Sequence, residues 1–229
     1  MTLSLTWHGH STVQLDDGTH SLLIDPFFTD NPVATMAASD VSCTHIAITH
    51  GHGDHFGDCP QIAKACNATV IAAYEICEYL AEQGHTACEP GNPGGCITTD
   101  FGTVTFTHAF HSSSFEGRYM GMPCGLIITM GGSTIYHAGD TGLFGDMQLI
   151  GETWKPDLVL LPIGDRFTMG PDLATTAAEM IGAPAALPIH FNTWPLIEVD
   201  PDAFAPRNVE VLRMQPGETI DVAAVASTQ

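Results

Sequence analysis

Between positions 50 and 55 the chain reads His50-Gly-His52-Gly-Asp54-His55, four potential metal donors within six residues. They follow directly on the apolar run His45-Ile-Ala-Ile-Thr49, the kind of segment that ends a strand and hands its side chains to a loop. In extended backbone, successive side chains alternate in direction. His50 and His52 therefore converge on one point, and Asp54 and His55 face a neighbouring one as the chain turns toward a helix. Imidazole nitrogen and carboxylate oxygen without thiolate suit zinc, manganese or iron. A purely structural zinc site usually closes with Cys and His, so a carboxylate in the set points to chemistry. A solvated His-rich tract is the bland alternative, and it fits poorly with a buried strand immediately upstream.

Alternating or fully apolar runs predict strands at 3–7, 12–15, 21–24, 46–49, 69–72, 101–106, 124–130, 133–137, 157–161, 185–189, 209–212 and 219–222. Asp16-Asp17-Gly18 reads as a hairpin turn, with Gly18 supplying a positive φ. Helices are predicted at 60–65 with Asp58 as cap, 75–83 stopped by Gly84, 144–150, and 172–181 ended by Gly182, with a helical turn after Pro201. The stretch through residue 41 and Pro90-Gly-Asn-Pro-Gly-Gly95 read as loops. Strands come first, then strands alternate with helices, and the second half repeats the theme. Two sheets face to face with helices outside give every strand a dry face. The expected architecture is an α/β four-layer αββα sandwich, as a single domain over 1–229, with no linker, repeat or low-complexity tract.

The 229 residues can bury one sizeable core. Six basic residues (Lys64, Arg118, Lys155, Arg166, Arg207, Arg213) face 26 acidic ones, a formal charge of −20. Such a balance argues against nucleic acid, whose phosphates need Lys and Arg to displace counterions. It argues equally against an anionic membrane surface. Seven scattered cysteines with no C-x-x-C suit free thiols in a reducing cytosol. The start, Met1-Thr-Leu-Ser-Leu5, lacks the basic and long apolar regions of a signal peptide, and the uncharged run between Arg118 and Asp140 reads as a hairpin rather than a membrane span. The expectation is a cytoplasmic protein with no membrane or nucleic-acid partner; a homo-oligomer is left open.

The 50–55 cluster resembles the His-x-His-x-Asp-His signature of the metallo-β-lactamase superfamily. Trp7-His-Gly-His-Ser11, Ile24-Asp-Pro-Phe27, Tyr136-His-Ala-Gly-Asp-Thr-Gly-Leu-Phe-Gly-Asp-Met147, Leu161-Pro-Ile-Gly164, Phe167-Thr-Met-Gly-Pro171 and Asn192-Thr-Trp-Pro-Leu-Ile197 extend that resemblance over nearly the whole chain. They look like the UPF0173 group, small metal-dependent hydrolases related to the bacterial L-ascorbate-6-phosphate lactonase. The resemblance implies the same αββα fold and three further ligands at distant strand ends: His111, Asp140 and His190. It assigns His50, His52 and His111 to one metal and Asp54, His55 and His190 to a second, with Asp140 bridging. Two divalent ions, zinc or manganese with iron admitted, would lower the pKa of a bound water to roughly 7 and polarise a scissile carbonyl or phosphoryl group. Asp54 and Asp140 are the expected catalytic carboxylates, Asp54 orienting the nucleophile and shuttling its proton.

Other residues are weighed against blander roles. His10 reads as an outer or substrate-facing group or as a satisfied core histidine. Asp25 reads as the carboxylate that orients a ligating imidazole or as a strand-end turn. Arg118 and Arg166 fall in loops expected to approach the site, where either could bind a substrate anion; Asp165-Arg166 departs from relatives that carry small residues there. His108 competes with His111, which is preferred because Ser112-Ser-Ser114 follows it. His137 is read as local support for Asp140 or as core, His8 is given no role, and His20, His45 and His85 are placed in turns or at strand edges. The expected activity is hydrolysis of a small ester or lactone-type molecule. A phosphodiesterase of the same fold is the alternative, weakened by the shortage of cations, and a metal-binding protein without catalysis is another. Flavodi-iron redox chemistry would put Glu where His52 stands, β-lactamases mostly differ at Asp140, and glyoxalase-type thioesters stay open.

Overall fold

The computed structural model describes residues 2–226. The first half contains β1 (Ser4–Trp7), β2 (Val13–Asp16), β3 (Ser21–Ile24), β4 (His45–Ala47), α1 (Gly53–Phe56), α2 (Cys59–Cys66), β5 (Thr69–Ala73), α3 (Tyr74–Glu82) and β6 (Cys88–Gly91). The second contains β7 (Cys96–Thr98), β8 (Gly102–His108), β9 (Ser114–Phe115), β10 (Arg118–Tyr119), β11 (Cys124–Met130), β12 (Ser133–His137), α4 (Met147–Trp154), β13 (Leu158–Pro162), α5 (Pro171–Ile181), β14 (Ala185–Ile189) and β15 (Glu210–Val211). The chain then returns to the first sheet as β16 (Thr219–Asp221) and ends in α6 (Val222–Ala226).

Two seven-stranded sheets result, ordered β16-β1-β2-β3-β4-β5-β6 and β15-β14-β13-β12-β11-β8-β7. Side-chain alternation sorts residues between layers. In β3, Leu22 and Ile24 point into the core shared by the sheets, beside Leu126, Ile128, Leu160 and Leu187. Leu23 between them points outward and packs with Ile62 of α2 and with Ile76 and Leu80 of α3. The second sheet does the same: Ile127, Val159 and Leu161 meet Met147 and Ile150 of α4 and Ala174, Ala178 and Ile181 of α5. Helix, sheet, sheet, helix is therefore the layer order, the αββα sandwich expected from the pattern.

Strands β3 to β6 run parallel, as do β12 to β15. Strands β1 and β8 share the direction of their parallel neighbours, since each is two antiparallel pairings away. The segments holding His10, His50 to His55, His111, Asp140 and His190 all leave the carboxyl ends of strands, at one edge of the sandwich. Crevices of open α/β sheets lie at this edge.

Short strands β7, β9 and β10 were not expected from the sequence, and four expected features differ. Residues 88–91, whose latter part was expected in a loop, form β6, because parallel pairing with β5 overrides turn propensity. The helix expected at 144–150 spans Met147–Trp154; Phe144 packs with the α4 cluster, and its carbonyl accepts the Met147 N–H at 3.3 Å. Asp58 does not cap α2 with its side chain. Its buried carboxylate accepts the Phe28 and Thr29 N–H groups (2.6 and 2.8 Å) and the Thr29 hydroxyl, tying the loop after β3 to α2. The expected strand at 209–212 is reduced to the two residues of β15.

Candidate metal centre

The His-Gly-His-Gly-Asp-His segment leaves β4 and turns into α1, so His50 and His52 lie on the loop and Asp54 and His55 on the first helical turn. Gly51 is required by space: a Cβ there would lie 2.3 Å from Met120 Cβ. Its N–H donates to Ser113 Oγ at 3.1 Å, which fastens the loop to the second half.

The donors gather in two groups. His50, His52 and His111 form one, and Asp54, His55 and His190, joined by His10, form the other; within each, ligand atoms lie within 4.8 Å of one another. Asp140 touches both. Its Oδ2 is 3.0 Å from His190 Nε2, 3.5 Å from His111 Nε2 and 4.0 Å from His50 Nε2, and its Oδ1 is 3.4 Å from His55 Nε2. The structure thus brings together all seven ligands expected from the sequence.

Hydrogen bonds fix which ring nitrogens face inward. The Thr49 hydroxyl donates to Asp25 Oδ2 (2.6 Å), so it can only accept from His50 Nδ1–H (3.0 Å), leaving His50 Nε2 bare. His55 Nδ1–H donates to the same Asp25 Oδ2 at 2.8 Å, leaving its own Nε2 bare. Asp25 Oδ1 accepts the Thr49 N–H at 2.8 Å. Asp25 also groups with His50 and His55, but its oxygens are already engaged by the Thr49 and His55 donors. Its contacts set the orientation of the His55 ring directly and of the His50 ring through Thr49.

The residues present fit divalent cations. His50 Nε2 and His52 Nδ1 face one another at 3.0 Å, close to the roughly 3.3 Å that two Zn–N bonds of ~2.05 Å subtend at a tetrahedral angle. His55 Nε2 and Asp140 Oδ1 are both buried, point at each other and make no hydrogen bond. Burial holds the His50, His52 and His111 imidazoles below their ordinary pKa, so they are neutral and ready to ligate. For His190, burial works the other way from Asp140, and the carboxylate wins: the imidazole is raised to about 9. His55 is likewise raised against the cost of burial by Asp140, Asp54 and Asp25. Asp54 and Asp140 remain ionised, burial being outweighed by the imidazoles around them.

His10 is fully buried, with Nε2 3.2 Å from Asp54 Oδ2 and Nδ1 2.7 Å from Thr193 Oγ1. Burial and then His190 lower its pKa to about 4, so it is neutral. His137 is also buried, bonded to the Ser11 carbonyl and the Gly139 N–H. His108 stands at the end of β8, lines a separate apolar groove beside α4, and is in neither donor group. Arg118 is not at the site: both its terminal nitrogens go to Glu82, and its guanidinium lies over Tyr79. The anion role expected of it is corrected accordingly, because α3 brings a carboxylate and a ring to the β9–β10 hairpin. Arg166 is exposed, its guanidinium 5.6 Å from the centre of the Phe167 ring.

A cavity of about 250 Å³ opens over the donors, lined by His52, Asp54, His111, Ser112, Asp140, Phe167, His190 and Trp194. Sequence reasoning assigned no role to Thr49, Ser113, Phe167 or Trp194. The last two stand in quoted motifs, but only the fold turns their rings toward the donors. Among the described residues no helix is long and apolar enough to cross a membrane.

A family model described as a beta-lactamase superfamily domain matches residues 20–191. The chain is 49% identical to a UPF0173 metal-dependent hydrolase of Geobacillus thermodenitrificans, over 96% of this chain and all of that one. It is 47% identical to a UPF0173 metal-dependent hydrolase of Shouchella clausii, with the same coverage. Among solved structures it resembles Igni18, a metallo hydrolase from the archaeon Ignicoccus hospitalis: TM-score 0.86, 34% identity, covering 96% of this chain and 98% of that one.

Proposed function

The chain belongs to the beta-lactamase superfamily, in its UPF0173 metal-dependent hydrolase group, and from that premise we propose that it hydrolyses a small ester or lactone at a dinuclear centre. The observation that carries this reading is the position of Asp140, whose two oxygens reach donors of both groups. In it, His50, His52 and His111 would hold one divalent cation and Asp54, His55 and His190 the other, with Asp140 available to both. Zinc or manganese suits the nitrogen–oxygen donor set, and iron is admitted. Two such cations, when bound, would supply the Lewis acidity that activates water and polarises a scissile carbonyl.

The chain's own residues do the rest. Asp25 keeps the His50 and His55 tautomers that present bare Nε2 atoms. Asp54, ionised and held by His10, would orient the attacking water. The aromatic wall of Phe167 and Trp194 limits bulk water. The cavity volume suits a small molecule. No Lys or Arg lines it, which ranks a phosphodiester below a carboxylic ester, because a phosphate's second oxygen would lack a cationic side chain.

The test is the metal-reconstituted protein against lactones, thioesters, phosphomonoesters and cyclic phosphodiesters, beside Asp140→Ala. Lactone or ester turnover is expected from the wild type. The variant should lose hydrolysis and at least one metal equivalent while keeping its circular-dichroism spectrum. An active, fully metallated Asp140→Ala protein would remove the bridging role.

A further inference from the structure

Resting on that hydrolytic reading, we propose that the substrate is uncharged away from its scissile bond and lays a flat apolar group against Phe167 and Trp194. The strained Asp165-Arg166 turn is the device that presents Phe167.

The lining carries the first argument. Beyond the metal donors it offers Ser112 and two large rings, and no cationic side chain. None of the chain's six cations lines the cavity, and three are paired elsewhere. Arg118 is held by Glu82, Arg207 by Glu179 and Arg213 by Asp202; Lys64 lies in α2, and Lys155 follows α4. Arg166 covers the Phe167 ring and is outside the lining. A substrate carboxylate lying beyond the donors would be desolvated against tryptophan and phenylalanine with no partner. It would also approach through the field of a chain of charge −20.

The rings are built for contact. Trp194 is fixed against His10 at 4.9 Å, Phe27 at 6.2 Å and His190 at 6.5 Å between ring centres, so one wall is keyed to the donor imidazoles themselves. Phe167 is 49% exposed, an apolar face at the cavity with room for a second ring or chain. Asp165 and Arg166 hold φ values of +58° and +36°, a left-handed pair without glycine. Strain of this kind persists only where surroundings enforce it. Here Asp165 N–H donates to the Met169 carbonyl (3.0 Å), Thr168 N–H to the Asp165 carbonyl (2.8 Å) and Met169 N–H to the Thr141 carbonyl (3.1 Å), beside Asp140.

The chemistry gives this arrangement a direction. Water adds to the acyl carbon, the acyl C–O bond breaks, and the products are a carboxylate, an alcohol and a proton. An uncharged molecule enters, and an acid leaves a cavity whose own side chains, Asp54 and Asp140, are anionic.

Two esters of one chromophore and similar length separate the cases: p-nitrophenyl butyrate, uncharged, and mono-p-nitrophenyl succinate, anionic. With zinc-loaded full-length protein, kcat/KM for the butyrate should exceed that for the succinate at least tenfold. Phe167→Ala and Trp194→Ala should raise KM for the butyrate several-fold at unchanged zinc content, and Trp194→Phe should restore most of it. Arg166→Ala should not change the ratio between esters in favour of the butyrate. Equal or better turnover of the succinate overturns the proposal, as does loss of succinate turnover alone in Arg166→Ala. Turnover without charge discrimination removes this inference only; no turnover of any ester by the zinc-loaded protein removes the hydrolytic reading with it.

Discussion

Replacing Asp25 by Asn alters one atom type at the point where two ligating imidazoles are oriented. Asn tolerates the left-handed backbone of this residue, φ +48°, and keeps a carbonyl oxygen for the Thr49 N–H. The oxygen that serves Thr49 Oγ1 and His55 Nδ1 becomes an NH₂ group, a donor set against two donors. His55 relieves the conflict by moving its proton to Nε2, the atom that faces Asp140, and so loses its lone pair there. Changes to the outer partner of a ligand typically cost 10- to 100-fold in metal affinity. That corresponds to about 1.4–2.8 kcal/mol of binding free energy. Asp25→Ala is a poorer probe. It orphans three buried donors at about 1–3 kcal/mol each, against a total stability of roughly 5–15 kcal/mol. Zinc titration against a competing chelator, with thermal unfolding of the metal-free protein as control, should show weakened zinc binding at a nearly unchanged melting temperature. Two equivalents bound at wild-type affinity would refute the orienting role.

Three further outcomes are expected. EDTA should abolish hydrolysis and Zn²⁺ or Mn²⁺ restore it, measured by turnover after dialysis; activity surviving complete metal removal would end the metal assignment. Gly139→Ala should destabilise the fold by about 1–3 kcal/mol and lower metal occupancy, since a Cβ at φ +62° would lie 2.9 Å from both Thr49 Cβ and the Cys124 carbonyl, one residue before Asp140; urea unfolding and metal analysis read both effects. Burial lowers the pKa of His137, whose neutral form donates from Nε2 and accepts at Nδ1, so the unfolded chain takes up a proton near pH 6.5 that the fold resists. Its contribution is complete above that pH and is lost as pH falls below it. Urea midpoints between pH 8 and 5 should therefore slope less in His137→Gln than in the wild type, and identical slopes would refute this.

The donors were legible because their types are rare and each stands where an apolar run stops. Allocation between two cations was not legible from spacing; it came from family resemblance. The Thr49 hydroxyl between Asp25 and His50 gave no local signal, since a threonine closing a β-rich run has ordinary strand propensity. Arg118 and Asp58 show the converse. Each has a residue type suited to the role expected of it, but a tertiary neighbour, Glu82 for one and the backbone of Phe28 and Thr29 for the other, claims its polar atoms. Strand β6 was hidden because its pairing partner lies in β5, on the far side of α3. The aromatic wall escaped because loop rings have no periodicity to reveal which way they face.

The donors of each half meet only at the seam between the sheets. His10, Asp54 and His55 come from the first half, His111, Asp140 and His190 from the second, and the His190 N–H is stitched to the His10 carbonyl at 3.1 Å. A cation held there would act as a rivet through both plates, adding to the resistance of one against slipping past the other.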